Sequence, residues 1–142
     1  MKKKLKVGII GCGGIANGKH MPSLAKIAEI EMVAFCDIEI EKAEAAAKKY
    51  GTEQAKVYTD YKELLKDNDI DVVHVCTPNR SHSSITVDVL EAGKHAMCEK
   101  PMAKTSDEAR KMLEAANRTG KKLTIGYQNR FRGDSKYLKT TC

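Results

Sequence analysis

The stretch Val7–Gly8–Ile9–Ile10–Gly11–Cys12–Gly13–Gly14–Ile15–Ala16 sets how the rest of the chain is read. Its first half is a short apolar run of β type. Its second half has the spacing GxGxxA and opens a helical pattern. Each small residue has a mechanical reason to be there. Gly11 permits a tight turn, Gly13 lets the backbone touch a pyrophosphate, and Ala16 lets the helix lie close to the strand. The free N–H groups and partial positive charge at the start of that helix hold an anion. Cys12, Gly14 and Ile15 complete the loop. Asp37 closes the next apolar run, 21 residues beyond Ala16, where a dinucleotide fingerprint places an acid. A carboxylate there accepts hydrogen bonds from a ribose diol and repels a 2′-phosphate. Ile38 follows it, not a cation. Together these residues predict a site for NAD in preference to NADP. The plainer alternative is a tight strand–helix turn in which Asp37 caps the next helix.

Outward from this loop, short β-type runs alternate with longer helical ones. The strands are expected at Lys4–Ile10, Glu31–Asp37, Lys56–Tyr58, Asp71–Thr77, His95–Glu99 and Leu123–Tyr127. The first helix is expected over Gly14–Glu29, broken near Met21 and restarted with Pro22 in its first turn. Ile38–Tyr50 follows, closed by Gly51, then Asp60–Lys66 with Asp60 as N-cap and Glu63 at the capping-box position. Asn79 is read as the cap of a helix ending at Gly93, and Thr105 with Glu108 as the box of one ending at Gly120. Such alternation gives parallel strands joined by right-handed crossovers. The fold class is therefore α/β: a doubly wound parallel sheet of about six strands, three layers thick, the Rossmann fold. Residues 1–127 are expected to form this dinucleotide-binding domain, and 128–142, polar and basic with no strand after them, to begin a linker.

Composition bounds the rest. The chain has 142 residues, 42% hydrophobic and 31% charged, as expected of one globular domain. Its longest run without a charged residue, Val7–Gly18, is 12 residues, too short to span a bilayer. A net charge of +6 raises the question of an anionic partner, and a basic run begins at Lys2, Lys3, Lys4 and Lys6. With seven Tyr and Phe in all and no Trp, stacking platforms for nucleic acid are not expected. The five cysteines, at 12, 36, 76, 98 and 142, form no CxxC pair, which fits buried reduced thiols and no metal. The apolar segment Val7–Gly11 is too short for a secretory signal. A cytoplasmic protein is the expectation.

Ligands of doubly wound sheets bind beyond the carboxyl ends of the strands. Those ends here are the glycine loop, Asp37, Cys76–Thr77–Pro78–Asn79 and Glu99–Lys100–Pro101. Lys100 has a chemical use at such a place. An ammonium beside a reacting oxygen stabilises negative charge as hydride departs, and burial would bring it toward the working range of pH. A solvated lysine at a strand end is the plain alternative.

The order GxGxxA, Asp37, Cys76–Thr77–Pro78–Asn79 with His82, Glu99–Lys100–Pro101 and Gly126–Tyr127–Gln128–Asn129–Arg130–Phe131 resembles the glucose–fructose oxidoreductase / inositol dehydrogenase / rhizopine-catabolism (Gfo/Idh/MocA) family. The resemblance covers essentially the whole chain and is most specific at Glu99–Lys100–Pro101. It implies a dehydrogenase that moves a hydride between NAD(P) and a sugar or polyol hydroxyl. It implies that Thr77, Pro78 and Asn79, with Cys76, line the nicotinamide side of the cofactor, that His82 lies near its ribose or diphosphate, and that Glu99 contacts the nicotinamide ribose. Lys100 is then the catalytic residue beside the carbinol. Pro101 fixes the backbone that aims it, a cis peptide being one way. Gln128 and Arg130 lie near the cofactor at the junction with a second domain. In the family that domain supplies most substrate contacts and an Asp and a His that assist proton transfer. This chain alone is accordingly expected to bind NAD without efficient turnover, and the full-length protein to form homo-oligomers. A non-catalytic NAD-sensing protein is the competing class; only Lys100 separates the two in sequence.

Overall fold

The computed structural model describes residues 3–141, so Lys2 of the basic run and the fifth cysteine, Cys142, lie outside the described residues. Six strands, β1 (Leu5–Ile10), β2 (Ile30–Cys36), β3 (Lys56–Tyr58), β4 (Val72–Val75), β5 (His95–Cys98) and β6 (Leu123–Ile125), form one sheet in the order β3-β2-β1-β4-β5-β6. Every neighbouring pair is parallel. The chain winds outward from β1 to β3, then returns to β4 on the other side of β1. The strand ends part between β1 and β4, which is where such sheets hold dinucleotides.

Helices cover both faces. On one lie α1 (Met21–Leu24) and α2 (Ile40–Tyr50), where Met21, Leu24, Ala43 and Ala46 pack on Val7, Ile9 and Phe35. On the other lie α3 (Tyr61–Leu65), α4 (His82–Glu91) and α5 (Ser106–Thr119), where Leu64, Leu90, Met112 and Ala115 pack on Ile10, Val73 and Val75. Alternation along β4 makes the division visible: Val73 and Val75 are buried toward α4 and α5, while Val72 and His74 point the other way.

Local chemistry departs from the sequence reading in four places. The first helix is helical from residue 14 but turns wide over Ala16–His20, where the Met21 N–H reaches the Ala16 carbonyl five residues back. This extra residue in the turn re-phases the helix and buries His20 beside Ala16 and Met21. The expected break near Met21 is absent: Pro22 lies inside this continuous helix, where it offers no N–H to the preceding turn, and the helix stops at Leu24 instead of Glu29. Asn79 is not the cap of α4. Residues Asn79–Ser81 form a 3₁₀ turn, and the helix starts at His82 with the Ser81 hydroxyl already engaged by Thr77 and Pro78. Of the two expected boxes, only the forward halves form. Asp60 accepts the Lys62 N–H and Thr105 accepts the Glu108 N–H, but Glu63 pairs with Lys66 and Glu108 turns back to the Lys104 N–H. Residues beyond 127 are structured: a 3₁₀ turn, Gln128–Phe131, leads into α6 (Gly133–Thr141).

Candidate functional site

The glycine loop leaves β1 through a left-handed turn. Gly11 has φ +89°, and a Cβ on it would meet the Cys76 carbonyl carbon and oxygen at 2.8 Å. Only glycine fits both demands. At Gly13 and Gly14 the added atom would meet nothing within 4 Å, so this backbone faces open space. The Asn17 side chain folds back and donates to the Cys12 carbonyl at 2.6 Å, which braces the loop from inside.

Asp37 ties the loop to the end of β2. One carboxylate oxygen accepts the Cys12 N–H at 2.8 Å and the other the Glu39 N–H at 3.0 Å. A carboxylate offers about four lone-pair directions, so acceptors remain for a vicinal diol. Asp37 therefore closes the turn that leads to Glu39, the N-cap of α2, without capping the helix itself, and also faces the crevice. Ile38 beside it is 88% exposed, an apolar face that no described residue covers. Lys42 borders the same space but is held by Glu39 at 2.5 Å.

Gly11, Gly13, Asp37, Ile38, Cys76, Thr77 and Pro78 thus line one cavity of about 510 Å³. Its size lies within the range of small-molecule sites. Backbone open at Gly13, a diol acceptor at Asp37 and an apolar shelf at Ile38 fit the phosphates, ribose and base of a dinucleotide. Cys12 and Ala16 do not line it; they are buried beneath the loop at 1% and 0% exposure. Burial, and then the charge of Asp37, push the thiols of Cys12 and Cys36 up to about 12, so both are neutral packing groups.

A second cavity, of about 580 Å³, opens on the face that the short α1 leaves uncovered. Ile15, Glu99 and Gln128 line it, together with His20, His74 and Tyr127. Glu99 is buried. Its Oε1 lies 2.7 Å from His20 Nε2, and its Oε2 accepts the Lys100 N–H at 3.0 Å. Lys100 itself is exposed, two residues past the end of β5, so the burial expected for it is not supplied by these residues. The Lys100–Pro101 peptide is cis.

His82 links the two strand-end loops. It is 1% exposed, with Nδ1 2.7 Å from the Pro101 carbonyl oxygen and Nε2 2.7 Å from that of Thr77. Both nitrogens are committed to backbone, so the ring clamps the Thr77 and Pro101 turns instead of reaching into a cavity. Asn79 is exposed on its 3₁₀ turn, and Arg130 is exposed over the Tyr127 ring at 5.8 Å.

Two residues of this region escaped the sequence reading, His20 and His74. The available signal was a polar side chain inside an apolar strand, Val72–Val73–His74–Val75. His20 gave none, because its burial comes from the wide turn.

Among the described residues no helix is long and apolar enough to cross a membrane, and no His, Cys, Asp and Glu cluster could hold a metal ion. The family model GFO_IDH_MocA, described as an oxidoreductase family with an NAD-binding Rossmann fold, matches residues 5–127. The chain is 42% identical over 135 residues to the D-glucoside 3-dehydrogenase of Escherichia coli, covering 95% of the chain and 38% of that protein. It is 40% identical over 129 residues to the inositol 2-dehydrogenase of Salmonella paratyphi B, covering 89% and 38%. The WlbA dehydrogenase of Chromobacterium violaceum, solved with NADH and UDP-GlcNAcA, superimposes with a TM-score of 0.92 at 32% identity, over 99% of this chain and 40% of that one. The chain thus spans about two fifths of the length of the proteins it resembles.

Proposed function

This chain belongs to the Gfo/Idh/MocA oxidoreductase family and has its NAD-binding Rossmann fold, and we propose that it is the cofactor-binding part of a dehydrogenase acting on a sugar or polyol hydroxyl. The observation that carries the reading is the convergence of the glycine loop, Asp37 and the Thr77–Pro78 turn on one crevice, with His82 clamping that turn to the Glu99–Lys100–Pro101 segment. NAD supplies the hydride acceptor when bound. The chain's own residues do the rest. The Gly11–Ala16 backbone takes the diphosphate, and Asp37 takes the adenosine ribose and disfavours a 2′-phosphate. Thr77, Pro78 and Asn79 border the nicotinamide side, with Gln128 and Arg130 near it. Lys100 binds the carbinol oxygen and stabilises the charge that develops on it.

The substrate class rests on the names of the relatives, a glucoside dehydrogenase and an inositol dehydrogenase. The pocket that selects the substrate lies in a further region of the intact protein. A homo-oligomer in the cytoplasm belongs to the same reading, and the free buried thiols of Cys12, Cys36, Cys76 and Cys98 are consistent with a reducing compartment.

Lys100→Met tests the catalytic assignment. In the intact protein, assayed for NAD⁺ reduction over a panel of polyols and glycosides, the variant is expected to keep NADH affinity and lose kcat by about 100-fold or more. A variant that turns over at the wild-type rate would remove Lys100 from the chemistry and favour a protein that binds NAD without reacting it.

A further inference from the structure

Glu99 has a buried partner that the proposed chemistry does not use. His20 Nε2 lies 2.7 Å from Glu99 Oε1, with the two side chains 6% and 9% exposed. Behind it, His20 Nδ1 lies 3.0 Å from His74 Nδ1, the rings edge to face at 5.2 Å. Burial first, and then the charge on His20, push His74 down to about 4. At neutral pH it is therefore a neutral neighbour to His20. Gly126 borders it on another side, where a Cβ would stand 3.1 Å from Glu99 Oε1 and 3.3 Å from its Cδ. The carboxylate is thus held at both oxygens, one on His20 and the other on the Lys100 N–H.

A buried polar pair is a weak source of stability, since well-packed apolar residues often do as well. What the arrangement does supply is direction. We propose that His20 is a positioning residue for Lys100, its ring holding the Glu99 carboxylate so that the other carboxylate oxygen fixes the Lys100 amide. The aim of Lys100 is then set from the same helix that begins at the phosphate loop. Cofactor diphosphate and reacting centre are joined through Ala16–His20, Glu99 and Lys100. The inference rests on the role given to Lys100 above.

The test uses the intact protein, assayed for NAD⁺ reduction over the same panel of polyols and glycosides and titrated with NADH, and two variants checked for folding by circular dichroism. His20→Gln keeps a donor at the place of Nε2; His20→Met keeps the bulk and removes the donor. The Met variant is expected to lose kcat about tenfold, as for loss of a charged hydrogen bond, and to keep NADH affinity within about threefold, as Lys100→Met does. The Gln variant is expected to stay within about threefold on both. Equal kcat losses for Met and Gln, or a wild-type kcat in the Met variant, would make His20 a packing residue and overturn the proposal. A Lys100→Met variant that turns over at the wild-type rate would instead remove the role of Lys100, and this inference with it. A second measurement needs no cofactor. The Lys100 amide resonance is expected to move in His20→Met and to hold its place in His20→Gln, because Glu99 joins the two residues. A Lys100 amide that is the same in His20→Met as in wild type overturns the proposal.

Discussion

Asp37 and His74 show how much one side chain can carry. Asp37 holds the Cys12 and Glu39 N–H groups with separate oxygens, so it shapes the loop before any ligand arrives. His74 carries the clearest pH dependence. Its folded value is about 4, below the ordinary value of 6.5, with burial as the larger cause and His20 as the second. The unfolded chain then binds the proton more tightly. The stability this group contributes is complete above pH 6.5 and is lost as pH falls toward 4, by on the order of 3 kcal/mol at most. Urea unfolding across this window should show the loss in the wild-type chain and not in His74→Leu. Parallel slopes for the two would assign the acid sensitivity elsewhere. The positions of Asp37 and Lys100 beyond the strand ends were legible in the sequence, because each follows an apolar run. His20 and Glu99 were not legible as a pair, since they are 79 residues apart and meet only once β5 lies on the far side of β4 from β1.

At the scale of elements, the turn from β1 into the first helix bears the tightest constraint. Gly11→Ala would place a methyl 2.8 Å from the Cys76 carbonyl while forcing a non-glycine residue to φ +89°. A cost of about 2 kcal/mol or more is expected in the urea midpoint, with loss of NADH binding. An unchanged midpoint would mean that this turn is free to move. Element existence was readable because Val-rich runs alternate with Ala-, Glu- and Lys-rich ones. Element ends were less so. Asn79 has the chemistry of a cap, but Pro78 at φ −60° and ψ 148° leads the chain into a 3₁₀ turn and delays the helix to His82. Likewise Pro22 suggests a break that does not form, and no residue type announces the wide turn before it. The helix at Gly133–Thr141 was not foreseen, although Asp134 in its first turn and Lys139 in its last suit one.

For the whole molecule, sheet order is what turns scattered motifs into a site. The glycine loop, Asp37 and Thr77 come together because β1 lies between β2 and β4. Right-handed crossovers and one fingerprint were enough to foresee that. The open face beside β5 and β6 was not foreseen, because it follows from a first helix that ends at Leu24. The central claim is that the crevice at the β1–β4 divide takes NAD and that Asp37 selects it. Calorimetric titration of this chain with NADH and with NADPH, alongside Asp37→Ala, tests it most directly. The account predicts NADH binding about tenfold tighter or better than NADPH, and a folded variant that has lost the difference. A folded wild-type chain that binds neither nucleotide, or that binds both equally before and after the substitution, would contradict it.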